Sequence, residues 1–374
     1  MSKGTDRKRL LILSIFPAPY RVAVFRELAR HYDVDLFFEV VQNQDRNARW
    51  FVESDEFKVL NTEKNLEAYR RCLKRLKSYD MVLAYDYFSR RAGQLMLRCM
   101  TAGVPYAVNC DGAFINRNPV KTAVKRLFVT HAALCFASGR SAGDYFRHYG
   151  AREEQIRYHH FTSLTEADYL DRPLSREEKE ELRRQLGLPE GKTVLSIGQF
   201  IHRKGYDVLL KAWKELDGEA NLVIIGGGGL RQSYMELIQE LGLRHVTLMD
   251  FMDKERLIQM YRQADLFVLP TREDVWGLVI NEAMANGLPV ITTNRCIAGL
   301  ELVEKGKNGY IVPVENTRLL AQAMKKILSS PRRMEAMGRN SLERVKGETM
   351  KDIADGHIRD IDRYLAGDRK QTRQ

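Results

Sequence analysis

Short apolar runs rich in Val, Ile and Leu alternate along this chain with stretches in which apolar positions recur every three or four residues. That pattern predicts parallel strands joined by helices. In the first half the predicted strands are residues 10–15, 34–38, 81–84, 106–109 and 134–137, with helices over 22–31 and 66–77. In the second half they are 193–197, 221–225, 246–248, 266–269, 289–292 and 310–312. Apolar runs without polar alternation are what strands buried on both faces require.

Length supports the same division, because 374 residues exceed the roughly 250 to 300 at which a single core stops growing. The predicted organisation is a Rossmann-like domain over 1–170, a linker over 171–190, a second Rossmann-like domain over 191–347, and a C-terminal helix with a basic tail over 348–374. The linker assignment rests on the charge run Arg176, Glu177, Glu178, Lys179, Glu180 and Glu181, which ends in Gly187 and Pro189.

At the N-terminus, Lys3, Arg7, Lys8 and Arg9 precede an apolar run, as in a secretory signal. Pro17, Pro19 and Arg21 follow where a small-residue cleavage site belongs, so the run reads as a first strand. No stretch approaches the roughly 20 apolar residues that cross a bilayer. Cys72, Cys99, Cys110, Cys135 and Cys296 form no close pair, which argues against a disulfide scaffold or a Cys-based zinc site and fits a reducing cytoplasm.

The formal charge is +11, and most of the excess lies early: residues 1–170 hold 27 basic and 19 acidic side chains, residues 171–374 hold 33 and 30. The basic residues are not interleaved with aromatics in one groove-fitting element, which argues against nucleic acid. Residues 66–77 and 121–128 mix basic and apolar positions at helical spacing. Such helices either lie on an anionic membrane surface or cover a sheet with solvated basic faces.

The densest chemical signal is the run 266–293, which reads as strand, loop, helix, stop and strand. Gly277 opens the helix, and Asn286 with Gly287 supplies left-handed residues to close it. The amides of Gly277, Leu278 and Val279 then sit at a helix N-terminus, where unpaired N–H groups and the dipole attract an anion such as a diphosphate. Glu282 falls one turn on, on the face of Leu278, where its carboxylate can accept from a vicinal diol such as a ribose.

This run resembles the donor-site signature of the family 4 (group 1) glycosyltransferases of the GT-B fold: an acidic residue, seven others and a Glu, ahead of Ala-Met-Ala and Gly-x-Pro. Asp274 and Glu282 occupy the acidic positions, with Asp274 where Glu is usual and Trp276 where Phe is common. The resemblance implies that Asp274 contacts hydroxyls of the transferred sugar and Glu282 binds the nucleotide ribose. Glu273, one residue out of register, takes the first role if the loop is bulged.

Residues 193–205 resemble the segment that clamps the donor diphosphate. Gly198 ends the strand, Lys204 matches the family Lys, and Gln199 stands where Arg is usual, leaving Arg203 as the candidate for the missing charge. Residues 223–229 resemble the family's Gly-x-Gly turn, with Gly226 on the donor side. Met252 falls where backbone groups meet the base, and 301–309 resembles a closing loop. The likeness is close over 193–330 and loose over 10–170.

In the first half, Phe16 to Arg21 resembles an acceptor-side loop. Asp111 with Gly112 stands where a catalytic-site His often follows a strand; Asp111 either replaces that His or shapes a turn. His159 and His160 lack a further ligand at metal spacing and read as rim residues. The glycines at 226–229 lack the Gly-x-Gly-x-x-Gly of a nicotinamide site after a first strand.

The implied fold is α/β of the GT-B type, two Rossmann-like domains facing across a cleft, with the helix near 350–365 crossing back to the first. The implied activity is a retaining, metal-independent, hexosyltransferase-type transfer from a nucleotide-diphosphate sugar, UDP-sugar ahead of GDP-sugar, with no further cofactor. The implied acceptor is a glycan or a lipid-linked sugar in cell-surface polysaccharide synthesis. The expected location is the cytoplasm, peripheral on the inner face of the membrane. A non-catalytic nucleotide-sugar-binding protein and a same-fold nucleotide-sugar 2-epimerase are the alternatives.

Overall fold

The computed structural model describes residues 7–40, 52, 54–112, 114, 115 and 118–367; Lys3 and the tail beyond residue 367 lie outside them. The chain divides into two units, Met1–Thr162 with Thr349–Gln374, and Ser163–Glu348.

Among the described residues, the first unit holds a seven-stranded sheet. Its strands are β1 (Arg9–Ser14), β2 (Asp33–Phe38), β3 (Lys58–Val59), β4 (Met81–Ala84), β5 (Tyr106–Cys110), β6 (Leu134–Ser138) and β7 (Ile156–His159). They run in the order β3-β2-β1-β4-β5-β6-β7, every pair parallel. Apolar patterning anticipates five of these. It misses β3, which has only two residues, and β7, where Ile-Arg-Tyr-His at the sheet edge carries no apolar run.

The second unit holds β8 (Thr193–Ile197), β9 (Asn221–Ile225), β10 (Val246–Met249), β11 (Leu266–Leu269), β12 (Val290–Thr293) and β13 (Gly309–Val312), in the order β10-β9-β8-β11-β12-β13. These strands too are all parallel. Winding reverses between β1 and β4 in one sheet and between β8 and β11 in the other. Loops leaving the carboxyl ends of those strands flank a crevice, where open α/β sheets bind ligands.

Two expected boundaries move. The first unit ends at Thr162, not at 170, because the following segment is tied into the second unit: Ser163 donates to Glu282, Lys254 to Asp168, and the Leu170 amide to the Ala285 carbonyl. The charge run expected as a linker is the helix Arg176–Gln185, whose Lys179 and Arg183, one turn apart, face inward. Arg183 pairs with Asp265 at 2.5 Å and Lys179 with the same carboxylate at 3.2 Å. Asp265 also accepts from the Thr193 amide at the start of β8, so this helix belongs to the domain it was expected to precede.

The helix Met350–Leu365 packs on the helix Pro19–His31 within the first unit. A capping box starts it, Thr349 and Asp352 exchanging bonds with each other's amides. Ile353, Ala354, His357 and Ile361 enter the core. Tyr32 donates to Asp362 at 2.7 Å.

The His357 ring lies 3.9 Å from Phe136 and 5.0 Å from His159, with Nδ1 3.4 Å from the Tyr85 hydroxyl. Burial pushes the His357 pKa well below the usual value and that of His159 down to about 3, each opposed further by the charge of a neighbouring histidine. Below about pH 6.5 the unfolded chain takes up a proton at His357 that the folded chain refuses. Stability is therefore complete above that pH and falls below it, by up to about 1.4 kcal/mol per pH unit. Relative to the native chain, His357→Gln is expected to flatten the fall in melting temperature between about pH 6.5 and 5; an unaltered slope would contradict a neutral buried imidazole.

Candidate active site

In the second unit the chemistry gathers at the carboxyl ends of β8 and β11. The loop after β11 is held in place by its own side chains. Arg272 forks onto both oxygens of Asp207 at 2.8 and 2.7 Å, pairs with Glu315, and donates to the His202 carbonyl. Thr271 donates to the carbonyls of Arg203 and Glu273. The loop after β12 closes the other side: the Asp274 amide donates to the Arg295 carbonyl and the Ala298 amide to the Trp276 carbonyl.

Within this frame Lys204 and Asp274 meet. Both are buried, and Lys204 Nζ lies 2.6 Å from the Asp274 carboxylate. Arg203 stands 3.8 Å from the same group and donates to the Glu273 carbonyl at 2.8 Å. Burial works to raise the Asp274 pKa, but Lys204 and Arg203 outweigh it and hold the carboxyl below its usual range. The site therefore presents a charged carboxylate with two cations on one side. Glu273, half-exposed, turns instead to Arg295.

Gly277 precedes the helix Leu278–Ala285 with φ of 101°, and a Cβ there would lie 2.9 Å from Cys296 Sγ. Glycine is needed for both reasons. The first-turn amides of Gly277, Leu278 and Val279 have no acceptor four residues back within the helix, which leaves them directed outward beyond its end. At the far end only Gly287 is left-handed, at φ of 71°; Asn286 stays at φ of −100° and caps by donating its side chain to the Glu282 carbonyl.

Gly226 fits where no other residue does, since a Cβ would lie 1.9 Å from the Gly198 carbonyl oxygen. The two glycine turns after β8 and β9 thus press together, with the Gly198 amide donating to Ile225. Met252 is half-buried in the loop after β10, beside the exposed Phe251.

Trp276, expected against the donor, is 3% exposed, and its indole N–H donates to Asn281 at 2.9 Å. A loop residue tied to both β12's loop and the helix is drawn into the core, so it shapes the turn from beneath.

Glu282 is half-buried and already engaged. Ser163 Oγ donates to one carboxylate oxygen at 2.9 Å and Tyr261 OH to the other at 2.8 Å. Burial raises the Glu282 pKa and these two hydroxyls pull it back. Neither partner is legible in sequence: Ser163 comes from the start of the unit, and Tyr261 from the helix Lys254–Gln263, where it reads as core.

In the first unit, Asp111 belongs to a second charged cluster at the ends of β1, β4 and β5. Arg21 donates to Asp86 at 2.5 Å, to Asp111 at 2.8 Å and to Ser14 at 2.9 Å. Asn109 also donates to Asp111. Burial alone would lower the Arg21 pKa; Asp86, with Asp111, overcomes it and keeps the guanidinium charged. Tyr20, Tyr85 and Phe16 ring it at 5.5 to 5.8 Å. A pocket with space for about one water molecule lies against Arg21, Asp111, His159 and Phe161. Asp111 thus sits in a charged cluster, and His159 lines the pocket with a ring largely withdrawn from solvent.

Residues 178–344 match the family model described as glycosyl transferases group 1. Over this segment, just under half of the chain, the likeness is to the group 1 glycosyl transferases. An uncharacterized glycosyltransferase of Methanocaldococcus jannaschii is 34% identical over 161 residues, 42% of this chain and 41% of that protein, so the chain spans less than half of that relative.

Among solved structures, the sucrose-phosphate synthase of Thermosynechococcus elongatus superposes with a TM-score of 0.76 at 21% identity, covering 96% of this chain and 100% of the other. Anabaena HepE, in complex with UDP and glucose, gives 0.73 at 17% over 95% and 99%. The two Rossmann-like units are therefore those of a GT-B fold. Asp274, Gly277 and Glu282 lie inside the group 1 segment, as do Lys204 and Gly226.

Proposed function

We propose that the chain is a retaining glycosyltransferase that moves a hexosyl-type sugar from a nucleoside-diphosphate sugar, UDP-sugar ahead of GDP-sugar, to a hydroxyl of a glycan or lipid-linked acceptor in cell-surface polysaccharide synthesis. One observation carries the reading: Lys204, Asp274 and Arg203 converge beside the amide-bearing start of the helix Leu278–Ala285, with Glu282 one turn along. HepE, which shares the fold, is seen with UDP and glucose, which supports uridine in the donor.

In this reading Glu282 accepts from the ribose and the amides of Gly277, Leu278 and Val279 face the diphosphate. Asp274 accepts from sugar hydroxyls, while Met252 and Gly226 line the base and phosphate sides. The bond from the anomeric carbon to the diphosphate oxygen breaks as the bond to the acceptor oxygen forms. The acceptor's proton passes to the departing phosphate oxygen on the same face, which retains the anomeric configuration. Negative charge grows on the diphosphate as it leaves, and Lys204, Arg203 and the fixed amides stabilise that charge most in the transition state. These cations and dipoles do the work for which no metal ion is invoked. Asp111, held by Arg21, is the acceptor-side carboxylate.

Attachment to the inner face of an anionic membrane through the first unit completes the proposal. Of the two basic helices considered, the helix Glu63–Lys74 spends Leu66, Tyr69, Cys72 and Leu73 on the core. The helix Pro119–His131 leaves Val120 72%, Val124 49% and Leu127 40% exposed, at positions i, i+4 and i+7 of one face, with the basic residues Lys121 and Arg126 on either flank of it. Among the described residues no helix is long and apolar enough to cross a membrane.

The test is incubation of the full chain with radiolabelled UDP-sugars, followed by product analysis. Release of UDP with retained label on an acceptor or on water is expected. Donor binding with release at background would favour a sensor, and a donor-sized epimeric product a 2-epimerase.

A further inference from the structure

Glu282 is unusual among the candidate carboxylates of the two units in the kind of partner it has. Asp274 meets Lys204, Glu273 meets Arg295, and Asp111 meets Arg21. The hydrogen bonds to Glu282 from Ser163 and Tyr261 come instead from uncharged hydroxyls, one on each oxygen. A carboxylate offers about four lone-pair positions, so this arrangement uses one on each oxygen and leaves one on each.

The hydroxyls also fix the rotamer. Tyr261 is buried with its ring 5.7 Å from that of Phe267 on β11. Ser163 opens the second unit and is followed by a segment pinned through Asp168 to Lys254 and through the Leu170 amide. Neither hydroxyl can follow Glu282 if it swings away. The carboxylate is thus a fixed acceptor with two adjacent vacant lone pairs, spaced for two adjacent O–H donors.

We propose that Tyr261 and Ser163 are positioning residues that set Glu282 to accept from both the 2′- and 3′-hydroxyls of a ribose, so that the chain takes ribonucleotide donors and rejects 2′-deoxynucleotide donors. The inference rests on Glu282 as the ribose ligand. A 2′-deoxy nucleotide satisfies one oxygen and leaves the other partly buried without its second donor, which is penalised more than a missing contact with water-exposed protein.

The measurement is calorimetric binding of UDP and of 2′-deoxy-UDP to the full chain, with GDP and its 2′-deoxy form as a second pair if UDP binds more weakly. The native chain is expected to favour the ribonucleotide by about tenfold or more. Tyr261→Phe keeps the ring and Ser163→Ala keeps the backbone. Each is expected to shrink that preference at least threefold, about 0.65 kcal/mol, chiefly by weakening UDP while the deoxy form changes little. A uniform loss for both nucleotides would mark a merely structural role and overturn the proposal, as would equal affinities in the native chain.

Glu282→Gln separates the layers. If it leaves UDP affinity and the ribo preference intact, the ribose assignment itself fails. If it removes the preference while Tyr261→Phe and Ser163→Ala retain it, the ribose assignment stands and the positioning role is overturned.

Discussion

Replacing Lys204 by Met is expected to lower turnover of a nucleotide-sugar by about 10²- to 10³-fold, the usual effect of removing one preorganised donor from a site of developing negative charge. Nucleotide affinity should fall less, because the diphosphate carries more charge in the transition state than when bound as the sugar ester. Two effects need separating, since Met at 204 also leaves the buried Asp274 carboxylate without its 2.6 Å partner. Breaking a buried pair in this way costs about 3 to 5 kcal/mol. The double variant Lys204→Met with Asp274→Asn removes the stranded charge and should recover much of the melting temperature while turnover stays low. Turnover that recovers together with stability would show that Lys204 only holds the loop.

The largest stability effect is expected at Arg21. Its guanidinium pairs with both Asp86 and Asp111, and all three side chains are at least 85% withdrawn from solvent. Arg21→Met strands two buried carboxylates on adjacent strand ends. The expected loss is about 3 to 5 kcal/mol, which for a unit of this size lowers the melting temperature by on the order of 10 °C. Arg21→Lys should recover part of this, because an ammonium cannot fork onto two carboxylates as a guanidinium does. Scanning calorimetry decides it: a shift within about 2 °C for Arg21→Met would mean that the network contributes almost nothing beyond its own desolvation.

The residues that sequence reading found are those whose chemistry is coded locally. Val, Ile and Leu runs mark strands because parallel strands are buried on both faces, and Gly277 marks a helix start because few other residues adopt its dihedral angles. Asp274, Gly277 and Glu282 fall on one strand-loop-helix unit, so their spacing alone places them. Lys204 and Asp274 are 70 positions apart, and only the pairing of β8 with β11 brings them together.

What escaped notice depends on contacts between distant segments. Ser163 and Tyr261 lie 119 and 21 positions from the carboxylate they hold. Arg21 and Asp111 are 90 apart. The charge run at 176–181 misleads because its charged face looks solvated until Asp265, at the foot of β11, is seen opposite Lys179 and Arg183. Trp276 misleads in the opposite sense, as a side chain inside a ligand-facing motif that points into the protein.

The decisive measurement is a crystal structure of the full chain soaked with UDP or GDP. The nucleotide is expected with its diphosphate oxygens on the amides at the start of the helix Leu278–Ala285, Lys204 within hydrogen-bond distance of them, and the ribose hydroxyls on Glu282. Nucleotide bound elsewhere, with that helix start and Glu282 left bare, would contradict the assignment of the second unit as the donor site.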